Sequence, residues 1–188
     1  MAVVEGVNNK IEPFPGEPDL AEKLSAVILE SRLEATPDTS GAVAKSSTVV
    51  VVVPVLVDSM GKSDFRFIDS ATREIARGLK SGTLVVYETT LPIGTTSGRL
   101  RKILEEESGL LAGRDFHLSF SPERVASGQV FANFKRYPKL VGGLTVECSK
   151  RAREFYEKAI EFETRSDLAR PNGAVSYTHL TLPTNREV

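Results

Sequence analysis

The sequence predicts an α/β fold in which a parallel sheet carries helices on both faces. Three apolar runs point to it: TVVVVVPV from Thr48, TLVVYE from Thr83 and FHLSF from Phe116. They are rich in β-branched and aromatic residues and scarcely alternate with polar ones, as strands covered on both sides do. Amphipathic segments of helical period separate them, and such alternation implies right-handed βαβ crossovers. Ligands of sheets of this kind bind at the carboxyl ends of the strands.

The elements follow in order. In Pro18 to Ala35, PDLAEKLSAVILESRLEA, the residues Leu20, Leu24, Val27, Ile28 and Leu29 recur at helical spacing, with Asp19 and Glu22 placed as a capping box. After Asp38 the alanine-rich TSGAVAKS makes a short helix leading into the first buried strand, Val49 to Val53. Ile68, Ala71, Ile75 and Leu79 mark a helix ending at Gly82, and Leu84 to Tyr87 is the second strand. TTSGRLRKILEEESG, capped by Thr95 or Thr96, buries Leu100, Ile103 and Leu104 and stops at Gly109. Leu118 to Phe120 is the third strand and KLVGG from Lys139 a fourth. The helix TVECSKRAREFYEKAI closes the series with Val146, Ala152, Phe155 and Ala159 inward.

Composition narrows the function. With 188 residues, 40% hydrophobic and 26% charged, the chain has enough apolar material for the core of one domain. A net charge of -1 offers no basic face for nucleic acid or an anionic membrane. The longest apolar run, Val49 to Val57, is broken by Pro54 and too short to span a bilayer, and no signal peptide is visible, so the expected location is cytoplasmic. Cys148 is the single cysteine, set on the packing face of its helix as an inert thiol, and His117 and His179 are too few for a zinc site, so no metal is expected. A small ligand remains.

Four strand ends are the places to look, just after Val53, Glu88, Phe120 and Gly142. Glu88-Thr89-Thr90-Leu91-Pro92-Ile93-Gly94-Thr95-Thr96 joins a strand to a helix N-terminus, where free N–H groups suit an anionic ligand edge, although on pattern alone plain threonine capping is the commoner explanation. Ser121 to Gly128 carries a carboxylate, Glu123, where a positioned acid or base would sit, or else a solvated Glu123–Arg124 pair of little energetic weight. The pair Gly142 and Gly143 either admits a ligand to the backbone or ends a strand.

Four motifs in order give the chain a resemblance to the N-terminal domain of nucleotide-sugar 6-dehydrogenases, the UDP-glucose and UDP-N-acetylmannosamine dehydrogenases. They are Val53-Pro54-Val55-Leu56, Thr89 to Thr96, Ser121-Pro122-Glu123-Arg124-Val125-Ala126-Ser127-Gly128, and Pro138-Lys139-Leu140-Val141-Gly142-Gly143, within a similarity running from about Asn8 to Gly173. The resemblance implies a Rossmann-like, doubly wound parallel sheet, NAD as cofactor, and oxidation of the C6 alcohol of a UDP-sugar to a carboxylate through a thiol-bound intermediate. It implies that Thr90 approaches the cofactor and the catalytic water, that Val55 lies on the cofactor side, and that Glu123 takes part in general acid–base chemistry beside the substrate carbon. The backbone at Arg124 and Val125 would line the sugar. The Arg-Val pair resembles the branch acting on UDP-N-acetylmannosamine or UDP-N-acetylglucosamine. Val55 and Leu56 replace the family's usual Thr and Pro, and Ser127 stands where UDP-glucose enzymes commonly carry a second glutamate. The full-length enzyme would be a homodimer or larger.

Other parts of the family pattern are missing. No Gly-x-Gly-x-x-Gly turn occurs, so the first two strands and the pyrophosphate cradle are expected to be absent from a sheet left incomplete. The family's nucleophilic cysteine and its lysine would lie beyond residue 188. Residues 174–188, beginning AVSYTHLTLPT, read as the translation of a library-adaptor end, an appended non-native tail expected to pack poorly. The chain on its own is expected to be inactive. Two competing readings remain, another Rossmann dehydrogenase and a non-catalytic α/β interaction module.

Overall fold

Alternate side chains of a strand point to opposite faces of its sheet, and here that rule separates two cores. The computed structural model describes residues 2–164, 166 and 173–176. Its elements are α1 (Ala2–Asn8), α2 (Leu20–Leu29), α3 (Thr39–Lys45), β1 (Thr48–Val51), β2 (Leu56–Val57), β3 (Ser63–Asp64) and α4 (Arg66–Gly78). They continue with β4 (Leu84–Tyr87), a π-helical turn (Thr96–Leu100), α5 (Arg101–Ser108), β5 (His117–Phe120), α6 (Val130–Arg136), β6 (Lys139–Gly143), α7 (Val146–Ala159) and β7 (Ala174–Ser176).

Five strands form one sheet in the order β1-β4-β5-β6-β7. β1, β4 and β5 are parallel neighbours, with Val49 beside Val85 and Val85 beside Leu118, as the apolar runs predict. Val85 and Tyr87 face a core that includes Val51, Ile68, Ile75, Leu100 and Leu104. Leu84 and Val86 face the other way, into a smaller core with Val141, Ala152 and Tyr156 of α7. This is the doubly wound arrangement.

Several expectations need correction. β6 pairs antiparallel with β5, Ser119 opposite Gly143, instead of extending a purely parallel sheet. The chain returns through an irregular loop and the seven-residue α6 and re-enters the sheet from the end it left. The site expected after Gly142 is therefore at the wrong end, and the first residue of β6, Lys139, lies at the carboxyl end of β5 instead. Gly143 serves packing: a Cβ there would stand 2.1 Å from the Ser149 nitrogen, and its own N–H bonds Ser149 Oγ at 2.8 Å.

The first strand is covered on one face only. Val49 and Val53 pack against the larger core, but Val50 is 39% and Val52 67% exposed. The reason is that α7 lies over β4 to β7 and not over β1, leaving Val50 on an open cavity of about 320 Å³ shared with Phe131, Phe134 and Phe155.

Helix ends also differ from expectation. Asp19 adopts φ 64° and makes no side-chain cap, because a left-handed residue turns its carboxylate away from the first helical N–H groups. That helix stops at Leu29, short of Ala35: Ser31 at φ 55° closes it, with Arg32 N–H bonding Val27 O at 2.8 Å and Ser31 N–H bonding Ile28 O at 3.0 Å. Neither Thr95 nor Thr96 caps the next helix by its side chain, since the chain enters it through the π-helical turn.

In α7, Val146 (80% exposed) and Ala159 face outward. The cap made by Thr145 Oγ1 to the Cys148 N–H sets a phase that turns Cys148, Ser149, Ala152 and Tyr156 inward. Ala174–Ser176, expected to pack poorly, pairs in parallel with β6 and buries Ala174, because pairing at a sheet edge uses backbone groups that any sequence supplies. Residues 177–188 lie outside the described residues.

Candidate active site

Three strand ends meet through one backbone residue. Glu88, immediately after β4, donates its N–H to Val51 O at 2.9 Å and accepts from the Glu123 N–H at 3.1 Å. The chain after β4 is thus tied to β1 on one side and to the loop after β5 on the other. Thr89 adds a bond from Oγ1 to Val53 O at 2.7 Å. Thr90 follows with its side chain exposed, and Gly94, at φ 81°, turns the chain into the helix in a conformation that L side chains resist.

The loop from Ser121 to Gln129 contains no regular structure, so side chains must hold it. Ser121 Oγ donates to Leu140 O at 2.7 Å. The Arg124 guanidinium donates to Pro138 O, and at the far end the Glu17 carboxylate accepts from the Gly128 and Val130 N–H groups, each at 2.7 Å. Glu17 reaches this loop because the left-handed Asp19 bends the chain at the start of α2.

Glu123 is held at both oxygens. Oε1 accepts from the Arg124 N–H at 2.7 Å and Oε2 from Lys139 Nζ at 2.5 Å. Lys139 is buried, at 6% exposure, and also pairs with Glu88 Oε1 at 3.0 Å. That oxygen in turn accepts from Tyr156 OH at 2.5 Å. Burial, and then the adjacent Glu88 carboxylate, raise the Tyr156 phenol above its ordinary range and keep it a donor. Lys139 also stands over the rings of Tyr156 and Phe134, at 5.1 and 5.5 Å from their centroids. A buried cation shared by two carboxylates fits the rule that buried charge must be paired.

The sequence-derived residues divide. Glu123, Arg124 and Val125 lie together on the loop after β5, and Thr90 lies on the loop after the adjacent strand β4. Among the described residues no hydrogen bond or ion pair joins Thr90 to Glu123; Glu88 links their loops. Val55 packs half-buried against the larger core, so its side chain faces the protein interior. Sequence reasoning passed over Lys139, Glu88, Tyr156 and Glu17. Lys139 and Glu88 fell inside quoted motifs, but pattern alone gives no sign that two charges a strand apart are buried against each other. Cys148 is buried beside the Leu118 N–H and Thr145 Oγ1.

Residues 2–160 match the UDP-glucose/GDP-mannose dehydrogenase family, NAD binding domain. The chain belongs to this family. It is 31% identical over 153 residues to the UDP-N-acetyl-D-mannosamine dehydrogenase of Escherichia coli strain K12, covering 78% of this chain and 36% of that protein. The NDP-N-acetyl-D-galactosaminuronic acid dehydrogenase of Methanosarcina mazei Go1 superposes with a TM-score of 0.80 at 35% identity, over 86% of this chain and 34% of that one. The UDP-D-ManNAc dehydrogenase structure from Pyrococcus horikoshii gives the same TM-score at 25% identity, over 86% and 38% of the two chains. The chain therefore spans about a third of the length of these relatives.

NAD is the cofactor of the domain that this chain matches. The strand-end loops after β1 and β4 adjoin through the Thr89 bond to Val53 O, and Thr90 on the second of them is open to solvent. The sequence has no Gly-x-Gly-x-x-Gly turn to cradle a pyrophosphate, so no contact to that part of the cofactor is assigned. Among the described residues no group of His, Cys, Asp and Glu could hold a metal ion, and no helix is long and apolar enough to cross a membrane.

Proposed function

We propose that the chain supplies the Glu123 side of the active site of an enzyme oxidising the C6 alcohol of a UDP-linked N-acetylhexosamine to a carboxylate, using two NAD. The observation that carries this reading is the built carboxylate: Glu123, at the carboxyl end of a parallel strand, has both oxygens engaged and a buried lysine behind it. A carboxylate so fixed can orient a water toward an electrophilic carbon without reorganising during the reaction. Thr90, exposed on the neighbouring strand end, offers a hydroxyl to the same water or to the cofactor. The backbone of Arg124 and Val125 borders the sugar. When bound, NAD accepts the hydride. The thiol that would hold the intermediate is not Cys148, which is buried in the packing of α7.

An N-acetylated sugar is favoured because the relatives at 31% and 35% identity are named for N-acetylmannosamine and N-acetylgalactosaminuronic acid. The test is a hybrid enzyme in which residues 2–160 replace the matching region of the Methanosarcina mazei relative. NADH formation is followed with UDP-N-acetylmannosamine, UDP-N-acetylglucosamine, UDP-N-acetylgalactosamine and UDP-glucose. Oxidation of an N-acetylated sugar supports the reading. A folded hybrid that is inert to all four, or that prefers UDP-glucose, refutes it.

A further inference from the structure

We infer that Lys139 is a positioning residue for Glu123, fixing the carboxylate that the proposed reaction uses; the inference rests on that reading for its catalytic meaning and on geometry alone for its structural content. Glu123 is 28% exposed at its side chain and sits on an irregular loop, so nothing in its local backbone selects one rotamer. Two contacts do. The Arg124 N–H bonds one carboxylate oxygen, and Lys139 Nζ bonds the other. The first is a bond between chain neighbours, which moves with the loop. Among the described residues only the lysine links the carboxylate to the sheet, because Lys139 belongs to β6 and its Nζ is itself held by Glu88 and by the rings of Tyr156 and Phe134.

The antiparallel return of β6 is what makes this possible. Were β6 parallel to β5, its first residue would stand at the opposite end of the sheet from Glu123. Reversed, it delivers Lys139 to the carboxyl ends of β4 and β5, between Glu88 and Glu123. The lysine side chain is 6% exposed, so it is shielded from competing water. It acts through the carboxylate.

The test uses this chain and a readout that simple loss of packing would not move. Lys139→Met alone leaves Glu88 and Glu123 without their cation in a buried place and is at risk of not folding, so the principal variant is Lys139→Met combined with Glu88→Gln, which keeps a partner for Tyr156 and removes one buried charge. Amide exchange at Arg124 and line positions of the Glu123 side chain are read by NMR, with the amides of Val85 and Val86 in β4 as an internal reference for global opening. Freed of its anchor, Glu123 releases the Arg124 N–H, and exchange there rises about tenfold while the β4 amides are unchanged. Lys139→Arg, which keeps a buried cation, restores slow exchange. In the hybrid enzyme the double variant lowers kcat about tenfold or more with little change in KM, and Lys139→Arg recovers most of it. Unchanged Arg124 exchange in the double variant overturns the inference, whether or not the hybrid is active. An inert hybrid with altered Arg124 exchange would refute the proposed reaction and leave the positioning role standing.

Discussion

The two faces of the sheet are built by different physics. On the face covered by α4 and α5, the core is Val43, Val51, Ile68, Ile75, Val85, Leu100, Leu104 and Leu118, with Tyr87 satisfied by Thr72 at 2.9 Å. On the face covered by α7 the buried apolar set is smaller, and at its carboxyl end lie two carboxylates, a lysine and a phenol. The first face is stabilised by apolar area removed from water. The second adds a polar network whose value depends on every member being paired, and that is where the candidate active site lies.

The contrast is sharpest under substitution. Lys139→Met should destabilise the fold by about 3–5 kcal/mol in urea unfolding, since it strands the buried Glu88 carboxylate and the half-buried Glu123. Leu104→Ala on the apolar face should cost about 2–4 kcal/mol, the transfer of its side chain plus the cavity left behind. The comparison breaks if the lysine proves the cheaper loss. Tyr87→Phe removes the bond to Thr72 and should cost about 1 kcal/mol, leaving the surrounding packing intact.

The same opposition is legible in the sequence. Val85, Leu118, Ile75 and Leu104 announce their places because burial on a regular element imposes a period that residue types reveal. The run Val49 to Val53 misled for the same reason: its composition suits burial on both faces, yet cover for Val50 and Val52 depends on which helix lies above, which composition does not encode. Glu123 stands out in the sequence because strand-end position and motif coincide. Lys139 does not, since its role depends on the direction of β6, which the residue types of the strand do not encode. Asp19 failed as a cap because its backbone is left-handed, a state that its spacing from Glu22 does not signal.

Smaller effects refine the picture. His117, at the start of β5, has its pKa lowered below the ordinary histidine value by burial first and by the nearby Arg151 second. The unfolded chain then binds the proton more readily than the folded one, so stability is greatest above about pH 6.5 and declines as pH falls below it. Chemical unfolding between pH 5 and 8 should show that slope in the native sequence and a flatter one in His117→Gln. At the bottom of the scale, Val52→Thr should change stability by less than about 0.5 kcal/mol, because the side chain is already in water. A larger loss would mean that the outer face of β1 is covered in solution.

The most direct test of the account is the kcat of the hybrid enzyme carrying Glu123→Gln, measured by NADH formation on its preferred nucleotide sugar. Glutamine keeps the size of the side chain and can still meet Lys139 and Arg124, but it carries no charge with which to organise water. The account predicts a kcat lower by about 10²- to 10⁴-fold with the fold intact by circular dichroism. A kcat equal to that of the unsubstituted hybrid would contradict the placement of Glu123 at the reacting centre.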